Sequence, residues 1–403
     1  MGIKANRADQ RGFSYFLLLW FYKLTFGLYM NLKCNVKMVK NDAYKLEGPY
    51  ILLANHTHNF DPIFIQTLWP RIICYVTNDT VWKIKPLRKI LDKVGLIAKK
   101  KMTTDSAAVR GILTNIKKGR IIGIFPEGMR SWDGCTKEII PSTSSLIKKL
   151  KVPVVTVRLK GAMMSRPRWA MDARRGRIVV EPKIALRAEQ IKEMTAEEIQ
   201  DVISKELSHS ETAFLRENER LKYRGKNMAE FLELFLFVCR DCGSMAKMRS
   251  ERSRFFCTEC GSEYIFDRDA TLYKEDGKAR YTLNAWDEYQ KKETKQVMDQ
   301  AIKEGQDDFV LFEDPDVSLL EYIRLEPLRL ITKGTLRMTP RGMDFTGDDG
   351  KKRVYLTEDI SGANIQKNNQ FEFTHEGRTF RFLFNERVSP YKWQLSLKCA
   401  RTQ

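Results

Sequence analysis

The sequence predicts an α/β domain in its first half, followed by a small cysteine-rich segment and a β-rich carboxy-terminal module. Three observations support this division of the 403 residues. Short apolar runs alternate with helix-like stretches from Tyr50 to Pro182, two CxxC pairs lie between 239 and 260, and strand-like runs separated by turns follow from about 318. A chain of this length exceeds what one hydrophobic core usually organises, so more than one domain is expected.

Residues 1–40 predict an amphipathic helix that lies in a membrane interface. The apolar run from Phe13 to Leu32 contains Lys23, which makes it a poor spanning helix, and basic residues flank it on both sides. No small-residue cleavage site follows the run, so a secretory signal peptide is not expected. Aromatic side chains of the kind that anchor interfacial helices are frequent in it: Phe13, Phe16, Trp20, Tyr22 and Phe26. A core helix of a soluble fold is the alternative.

Residues 41–230 form the predicted α/β domain. Its strand candidates alternate with helical stretches, a pattern typical of a sheet with parallel strands. These candidates are YILLANH, IICYVTN, GLIAKK, RIIGIFPEG, VPVVTVRL and GRIVVEP. From Ala188 to about Asn227 the sequence is helical and charged, which indicates the last helices of this domain.

The formal net charge of +19 comes from the first half of the chain. Residues 1–200 hold 36 Lys and Arg against 16 Asp and Glu, and the remaining residues hold 34 against 35. An anionic partner is therefore expected to meet the α/β domain, and an anionic membrane surface fits this pattern. Nucleic acid is not expected as a partner, because the cysteine-rich segment is close to neutral.

The segment ANHTHNFDP follows an apolar strand and carries candidate chemistry. His56 lies on the turn after the strand, and Asp61 with Pro62 is a typical helix start, with Asp as the cap. A carboxylate five residues after a histidine can orient the imidazole while its other nitrogen faces a substrate hydroxyl. This arrangement suits a general base. An ordinary strand-to-helix turn is the alternative.

A second polar segment, FPEGMRS, runs from Phe125 to Ser131 and also follows an apolar strand. Gly128 allows a ligand to approach the backbone. Glu127 and Arg130 offer an acceptor and a bidentate cation, and the cation suits phosphate. An ion pair between these two side chains is the alternative.

Together, NHTHNFD and FPEGMRS resemble the two defining motifs of the glycerolipid acyltransferases typified by 1-acyl-sn-glycerol-3-phosphate acyltransferase. KIKPLRKILDKVGLIAKK, which starts at Lys83, resembles the second motif of that family, and KVPVVTV, which starts at Lys151, resembles the fourth. The resemblance covers about residues 13–225. It implies a glycerol-3-phosphate acyltransferase-like α/β domain in an enzyme of phospholipid biosynthesis.

The resemblance also implies a reaction. His56 would deprotonate the hydroxyl of lysophosphatidate or a related glycerophospholipid precursor, and Asp61 would hold the imidazole. Acyl-CoA or acyl carrier protein would donate the fatty acyl group, with no catalytic metal and no covalent acyl-enzyme. The protein would be a peripheral or monotopic membrane protein at the cytoplasmic face. The phosphate end of the acceptor would contact Glu127, Gly128, Arg130, Lys99 and Lys100.

Three positions depart from the family pattern. His58 stands where the family usually has serine, Met129 where it has threonine, and Lys99 to Lys101 where it has arginine. His58 is expected to be a polar wall of the site rather than a second base. These departures leave the chemistry intact and leave the acceptor open among glycerol-3-phosphate, lysophosphatidate and other lysophospholipids.

Four cysteines predict a structural zinc site in a zinc ribbon at 236–267. The pairs CRDC and CTEC have the spacing of two zinc knuckles, and a glycine follows each pair. The predicted ligands are Cys239, Cys242, Cys257 and Cys260. Such a closed site has no catalytic role, and metal-binding cysteines indicate a reducing compartment. Redox chemistry of the CxxC pairs is the alternative.

A helical linker at 268–310 and a β-rich module at 318–403 are expected after the ribbon. Short strands followed by one carboxy-terminal amphipathic helix resemble a pleckstrin-homology or GRAM-like module. Lys351, Lys352 and Arg353 form a basic hairpin that suits a lipid headgroup, with a solvated turn as the alternative. The ribbon or this module would also suit a protein partner. His209, in a charged helix, and His375, in a hairpin, are expected at the surface.

A catalytically silent, lipid-binding zinc-ribbon adaptor is the competing interpretation. The joint presence of His56, Asp61, Glu127 and Arg130 favours an enzyme. The sequence does not determine the acceptor, the acyl-chain length, the donor carrier or the oligomeric state.

Overall fold

The computed structural model describes residues 13–78, 88–99, 106–323 and 327–401. The chain divides into two compact units. The first comprises Met1–Arg168 and Ala173–Gly225, and the second comprises Trp169–Asp172 and Lys226–Gln403. The first unit is α/β and the second is mostly β, as the sequence predicts.

A seven-stranded sheet forms the centre of the first unit. Its strands are β1 Val36–Met38, β2 Ile51–Ala54, β3 Ile73–Asn78, β4 Ile97–Lys99, β5 Ile121–Ile124, β6 Val154–Lys160 and β7 Ile178–Leu186. Their order across the sheet is β1-β7-β6-β2-β5-β3-β4. The pairs from β6 to β4 are parallel, and β7 runs antiparallel to β6. Every residue of β2 is buried, as expected for a central strand covered on both faces.

Helices cover both faces of this sheet. They are α1 Phe13–Tyr22, α2 Leu28–Cys34, α3 Asp42–Lys45, α4 Asp61–Leu68, α5 Arg88–Val94, α6 Ser106–Lys117, α7 Ser142–Leu150, α8 Ala162–Ser165, α9 Ala188–Glu193, α10 Ala196–Leu207 and α11 Glu211–Glu217. Successive side chains of a strand point to opposite faces, so the sheet has two cores. Leu52 packs with Phe64 and Trp69 on one face, and Ile51 packs with Ile112 and Ile147 on the other.

A π-helical turn at Lys23–Gly27 joins α1 to α2. No helix among the described residues combines the length and apolar character needed to cross a bilayer. Eight large apolar side chains of this helical segment are nevertheless between 45% and 64% exposed: Leu17, Trp20, Phe21, Leu24, Phe26, Leu28, Tyr29 and Leu32.

The second unit begins with a five-stranded antiparallel sheet. Its strands are β8 Met248–Glu251, β9 Arg254–Cys257, β10 Glu263–Phe266, β11 Thr271–Tyr273 and β12 Arg280–Thr282, in the order β12-β11-β10-β9-β8. The strands β11 and β12 occupy residues that the sequence assigned to the helical linker. They form a hairpin around the turn at Gly277, which has a φ of +70°. The predicted helix follows as α12, Leu283–Lys303.

Two meanders and a final helix complete the second unit. Their elements are β13 Phe312–Tyr322, β14 Arg329–Thr339, β15 Gly342–Gly347, β16 Lys352–Leu356, β17 Ile360–Lys367, β18 Gln370–His375, β19 Arg378–Leu383 and α13 Pro390–Arg401. The strand order is β16-β15-β14-β13-β19-β18-β17, so β13 and β19 join the two meanders. The first strand begins six residues before the predicted start of the module. A pleckstrin-homology or GRAM-like identity stays a prediction.

Hydrogen bonds tie the cysteine-rich segment, α12 and the β-rich module together within the second unit. They run from Phe237 N to Gln290 Oε1 at 3.0 Å, from Tyr391 Oη to Asp287 Oδ1 at 2.8 Å, and from Ser389 Oγ to Leu234 O at 2.7 Å. All three include a fully or nearly fully buried residue. These parts therefore share one core.

Candidate active site

Three neighbouring parallel strands, β6, β2 and β5, end at the same edge of the sheet. His56 follows β2, the segment Phe125–Ser131 follows β5, and residues 161–168 follow β6. In open α/β sheets, ligands bind at the carboxyl ends of strands. The structure thus brings the two predicted motifs together beside a third loop.

The imidazole of His56 contacts the carboxylate of Asp61. His56 Nδ1 lies 2.8 Å from Asp61 Oδ2, and the same oxygen accepts the backbone N–H groups of Thr57 and His58, also at 2.8 Å. Asp61 was expected to cap the helix. It is instead the first residue of α4, because its side chain turns back to the histidine turn rather than to the helix amides. The carboxylate is thereby fully buried and fixed by three hydrogen bonds.

The other side of the His56 ring remains accessible. Its side chain is 22% exposed, and the ring packs on that of Phe125 with centroids 4.5 Å apart. When the carboxylate is ionised, Nδ1 carries the proton of the shared hydrogen bond and Nε2 carries the lone pair. This geometry allows His56 to accept a proton through Nε2.

The main chain of His56 is held by the loop after β5. Glu127 Oε1 accepts the N–H of His56 at 2.7 Å, and the N–H of Ser131 donates to the carbonyl of His56 at 2.8 Å. The second carboxylate oxygen of Glu127 accepts the N–H of Lys137 at 2.8 Å. Burial raises the pKa of Glu127 to about 8 despite these hydrogen bonds.

Glu127 therefore differs from what the motif predicted. Both of its oxygens contact backbone amides, so the structure gives it a positioning contact in place of a free acceptor for a ligand. The predicted alternative, an ion pair with Arg130, is not formed between these two described residues. Gly128 has a φ of +73°, and a Cβ at this position would lie 2.8 Å from Ile140 Cδ1, so glycine is needed here.

Arg130 is half-buried, and the charge of Asp61 acts on its guanidinium without forming an ion pair. Within the part of the chain that the structure describes, no carboxylate lies within ion-pair distance of it. Burial lowers the pKa of Arg130 to about 10. Its carbonyl accepts a hydrogen bond from Arg168 Nη1 at 2.8 Å, and the Arg168 guanidinium lies over the Trp132 ring at 4.4 Å. The backbone of Arg130 is thus fixed while its side chain is available to a ligand.

Lys99 lies at the end of the edge strand β4 and is exposed. Two strands, β3 and β5, separate β4 from β2. At about 4.8 Å per strand, the two strands are about 14 Å apart. Lys100 and Lys101 lie outside the described residues, so the phosphate contact of this lysine group stays a prediction.

The ring of His58 is buried and has a fixed tautomer. Its Nδ1 accepts the backbone N–H of Phe60 at 2.9 Å, so the proton of the neutral ring is on Nε2. Burial lowers the pKa of His58 to about 4; Asp61 opposes this effect, and the positive charges of Arg130 and Arg166 add to it. A neutral hydrogen-bond donor fits the expected wall residue better than a second base.

Sequence reasoning missed two buried polar residues that shape the site. The side chain of Asn55 donates to Leu159 O at 3.0 Å and accepts from Leu159 N at 2.7 Å, which ties the β2 turn to β6. Glu211 accepts the N–H groups of Gly161 at 3.0 Å and Met164 at 3.1 Å, which holds the loop after β6. The signal for Asn55 was its place between an apolar strand and His56. Glu211 had no local signal.

The expectation for His209 was wrong. Its side chain is 4% exposed and lies between α10 and α11, where Nε2 is 2.9 Å from Glu211 Oε2. The buried carboxylate needs hydrogen-bond donors, and this imidazole is one of them.

The four cysteines form a cluster in the second unit. All four sulfur atoms lie within 4.8 Å of one another, and Cys239 Sγ and Cys260 Sγ are 3.7 Å apart. A tetrahedral zinc with bonds of about 2.3 Å requires sulfur separations of about 3.8 Å. Both knuckles have the same backbone pattern, in which Gly243 and Gly261 take positive φ and donate to the first cysteine of each pair. The cluster is compatible with the predicted zinc ribbon.

The basic hairpin of the β-rich module is largely neutralised within the module. Lys352 Nζ lies 2.8 Å from Asp344, and Arg353 lies 2.5 Å from Asp349. These ion pairs favour the solvated-turn alternative over a headgroup site.

Residues 35–160 match the family model described as Acyltransferase. They include β1 to β6 and both polar motifs, so this stretch of the chain is similar to the acyltransferase family. The resemblance noted in the sequence is confirmed at this level, as is the fold class of an α/β acyltransferase-like domain followed by a cysteine cluster and a β-rich module.

Among solved structures, the chain is similar to the crystal structure of the 1-acyl-sn-glycerophosphate (LPA) acyltransferase PlsC from Thermotoga maritima. The two are 16% identical, with a TM-score of 0.43. The match covers 50% of this chain and 80% of that one.

Proposed function

We propose that the protein transfers a fatty acyl group from acyl-CoA or acyl carrier protein to the hydroxyl of a glycerol-phosphate lipid precursor such as lysophosphatidate. The observation that carries this proposal is the hydrogen bond between His56 and Asp61 in an acyltransferase-family domain. The His56 side chain is 22% exposed, at the carboxyl end of the central strand β2.

His56 acts as the general base in this reaction. Its Nε2 takes the proton of the acceptor hydroxyl while the oxygen attacks the thioester carbonyl. The tetrahedral intermediate then collapses, the C–S bond breaks, and the thiolate takes the proton from the imidazolium. Asp61 keeps the ring oriented and stabilises the positive charge that it carries between these steps.

The acceptor is held at its phosphate end. Arg130 has a half-buried guanidinium that forms no ion pair with a described carboxylate, and its planar fork matches phosphate oxygens. Lys99 or Lys100 is a second cation for a longer or more distant headgroup. Glu127 contributes indirectly, because it holds the His56 backbone.

The helical segment α1–α2 binds the protein to the membrane surface. Its eight exposed apolar side chains suit the headgroup and acyl boundary of a bilayer, and Lys33, Lys37 and Lys40 next to it suit anionic lipids. The cytoplasmic leaflet is anionic, and reduced cysteines that bind structural zinc belong on the same side.

Vesicle sedimentation tests this membrane contact. Trp20→Ser with Leu24→Ser should reduce binding to phosphatidylglycerol vesicles several-fold, whereas Leu330→Ser, an exposed leucine of the second unit, should not. Equal binding by both variants would contradict a membrane role for α1–α2.

The activity is tested by thiol release from palmitoyl-CoA by the purified protein in detergent. Glycerol-3-phosphate, lysophosphatidate and other lysophospholipids are offered one at a time to the wild type, to His56→Ala and to His375→Ala as a matched histidine control. Acceptor-dependent release should be lost only in His56→Ala. Release retained in His56→Ala would refute the base. No release with either palmitoyl-CoA or palmitoyl acyl carrier protein would favour the silent lipid-binding adaptor.

A further inference from the structure

We infer that Arg166 is the second guanidinium of the anion site beside His56, and that with Arg130 it selects acceptors that carry a phosphate monoester. Arg166 belongs to none of the four motif-like segments. The inference rests on the proposed acyl transfer and adds to it a residue and a preference for one class of acceptor.

The sheet topology brings Arg166 to the site. The strand β2, which leads to His56, lies between β5, which leads to Arg130, and β6, which leads to Arg166. All three strands are parallel, so their carboxyl ends share one edge. Asn55 joins β2 to β6 at this edge through both groups of its side-chain amide.

The loop that carries Arg166 is anchored on both sides of it. Before Arg166, the buried carboxylate of Glu211 accepts the N–H groups of Gly161 and Met164. After it, Arg168 donates to the carbonyl of Arg130 at 2.8 Å. Arg166 lies between these two anchors, at the end of α8 and two residues before Arg168. The contact of Arg168 with the Arg130 carbonyl therefore places the loop that carries Arg166 beside the loop of Arg130.

The two guanidinium groups are close enough to affect each other. Burial lowers the pKa of Arg130, the negative charge of Asp61 opposes this effect, and the positive charge of Arg166 adds to it. Both side chains are half-buried, and neither has a carboxylate within ion-pair distance in the described ranges. The nearest acidic charge, Asp61, forms no ion pair with Arg130 and already accepts three hydrogen bonds from other groups. Two partly desolvated like charges in this arrangement are unfavourable unless an anion binds between them.

The neighbouring histidine supports an anion site without adding a third charge. His58 is neutral, and its proton is on Nε2 because Nδ1 accepts from Phe60. The charges of both Arg130 and Arg166 act on its ring, which locates all three groups in one region. Two guanidinium forks and a neutral donor suit the three oxygens of a phosphate monoester.

The charge of this site discriminates between acceptor headgroups. A phosphate monoester carries a charge of about −1.5 to −2 at pH 7 and pairs with two guanidinium groups. The phosphodiester of lysophosphatidylcholine carries one negative charge, and its choline cation is repelled by the arginines. Lysophosphatidate and glycerol-3-phosphate are therefore the acceptors that this pair favours.

Steady-state kinetics of the full chain in detergent test the inference. With palmitoyl-CoA as the donor, Arg166→Gln should raise the KM for lysophosphatidate about 10- to 100-fold, with kcat within about 3-fold. Arg166→Lys should give an intermediate KM, because it restores the charge but not the fork. The KM for lysophosphatidylcholine should change little.

Arg158→Gln is the matched control. It removes a half-buried guanidinium from β6 that is paired with Glu181 at 2.7 Å, and it leaves Lys160 to pair with that carboxylate. Its KM should equal that of the wild type. An unchanged KM in Arg166→Gln, or an equal increase in Arg158→Gln, would overturn the role of Arg166.

A binding measurement separates this inference from the proposed activity. The His56→Ala variant should broaden the ³¹P signal of inorganic phosphate. The double variant His56→Ala with Arg166→Gln should leave that signal sharp. Equal broadening with and without Arg166 would overturn the inference. Broadening that depends on Arg166, in a protein whose wild type transfers no acyl group, would refute the proposed activity and leave the anion site in place.

Discussion

Asp61→Asn should lower the rate of catalysis strongly while the fold stays intact. Asp61 Oδ2 accepts three hydrogen bonds of 2.8 Å, from His56 Nδ1 and from the N–H groups of Thr57 and His58. The other oxygen, Oδ1, is buried and has no hydrogen-bond partner among the described atoms. The amide oxygen of asparagine can replace Oδ2 in all three bonds. The negative charge opposite the imidazole is lost, and the amide NH2 takes the buried position of Oδ1.

The expected magnitudes differ between two variants. Loss of the carboxylate in a His–Asp pair should lower kcat by about 10²- to 10⁴-fold. Asp61→Asn keeps the three hydrogen bonds but buries an NH2 group without an acceptor, so it should lower the free energy of unfolding by about 1–3 kcal/mol. Asp61→Ala leaves the buried N–H groups of Thr57 and His58 unpaired, at about 1–3 kcal/mol each, so it should destabilise by about 2–6 kcal/mol.

Thiol release from palmitoyl-CoA and urea unfolding, measured on the same preparations, check both magnitudes. The control is Asp42→Asn, which removes a carboxylate from the exposed end of α3 and should change neither quantity. Full activity in Asp61→Asn would refute the role of Asp61 toward His56. Equal stability of the alanine and asparagine variants would refute the hydrogen-bond account.

Three further predictions concern stability. Burial raises the pKa of Glu127 to about 8, so its contribution to stability is full below about pH 4.5 and is lost as the pH rises through about 8. As the pH rises from 5 to 9, the urea midpoint of unfolding should therefore fall less for Glu127→Gln than for the wild type. An equal fall in the two proteins would contradict this. Asn55→Ala leaves both backbone groups of Leu159 without their side-chain partner and should cost about 2–6 kcal/mol in urea unfolding, whereas an effect below about 0.5 kcal/mol would show that water replaces the amide. Cys239→Ser should lower the zinc content below one ion per chain and make the β-rich module sensitive to protease, because both parts share one core; a module that resists protease without zinc would contradict that coupling.

The sequence alone predicts those structural elements that depend on residues close together in the chain. Buried parallel strands need continuous apolar runs, so six of the seven strands of the first sheet were visible as such runs. A zinc knuckle needs two cysteines and a glycine within one turn, so the cluster around Cys239 and Cys257 was also visible. The two polar motifs were visible because the functional groups that they combine lie within a few residues of each other.

Elements with weak local signals were misplaced or missed. The sequence assigned the hairpin of β11 and β12 to a linker, because strands of three residues are too short to show an alternation of apolar and polar residues. Asp61 is predicted to cap a helix because it precedes a proline. Only the folded turn reveals that its oxygen faces His56 and the preceding amides.

Tertiary structure alone decided which polar groups meet. Glu127 contacts the backbone of His56 across 71 positions, and Glu211 contacts Gly161 across 50. The loop of Arg166 reaches that of Arg130 only because β6, β2 and β5 are neighbours in the sheet. A single sequence carries no signal for such pairs. A buried carboxylate or amide forms its hydrogen bonds with the backbone that the fold brings within reach. The order of the strands in the sheet decides which backbone that is, and residues next to the carboxylate in sequence do not.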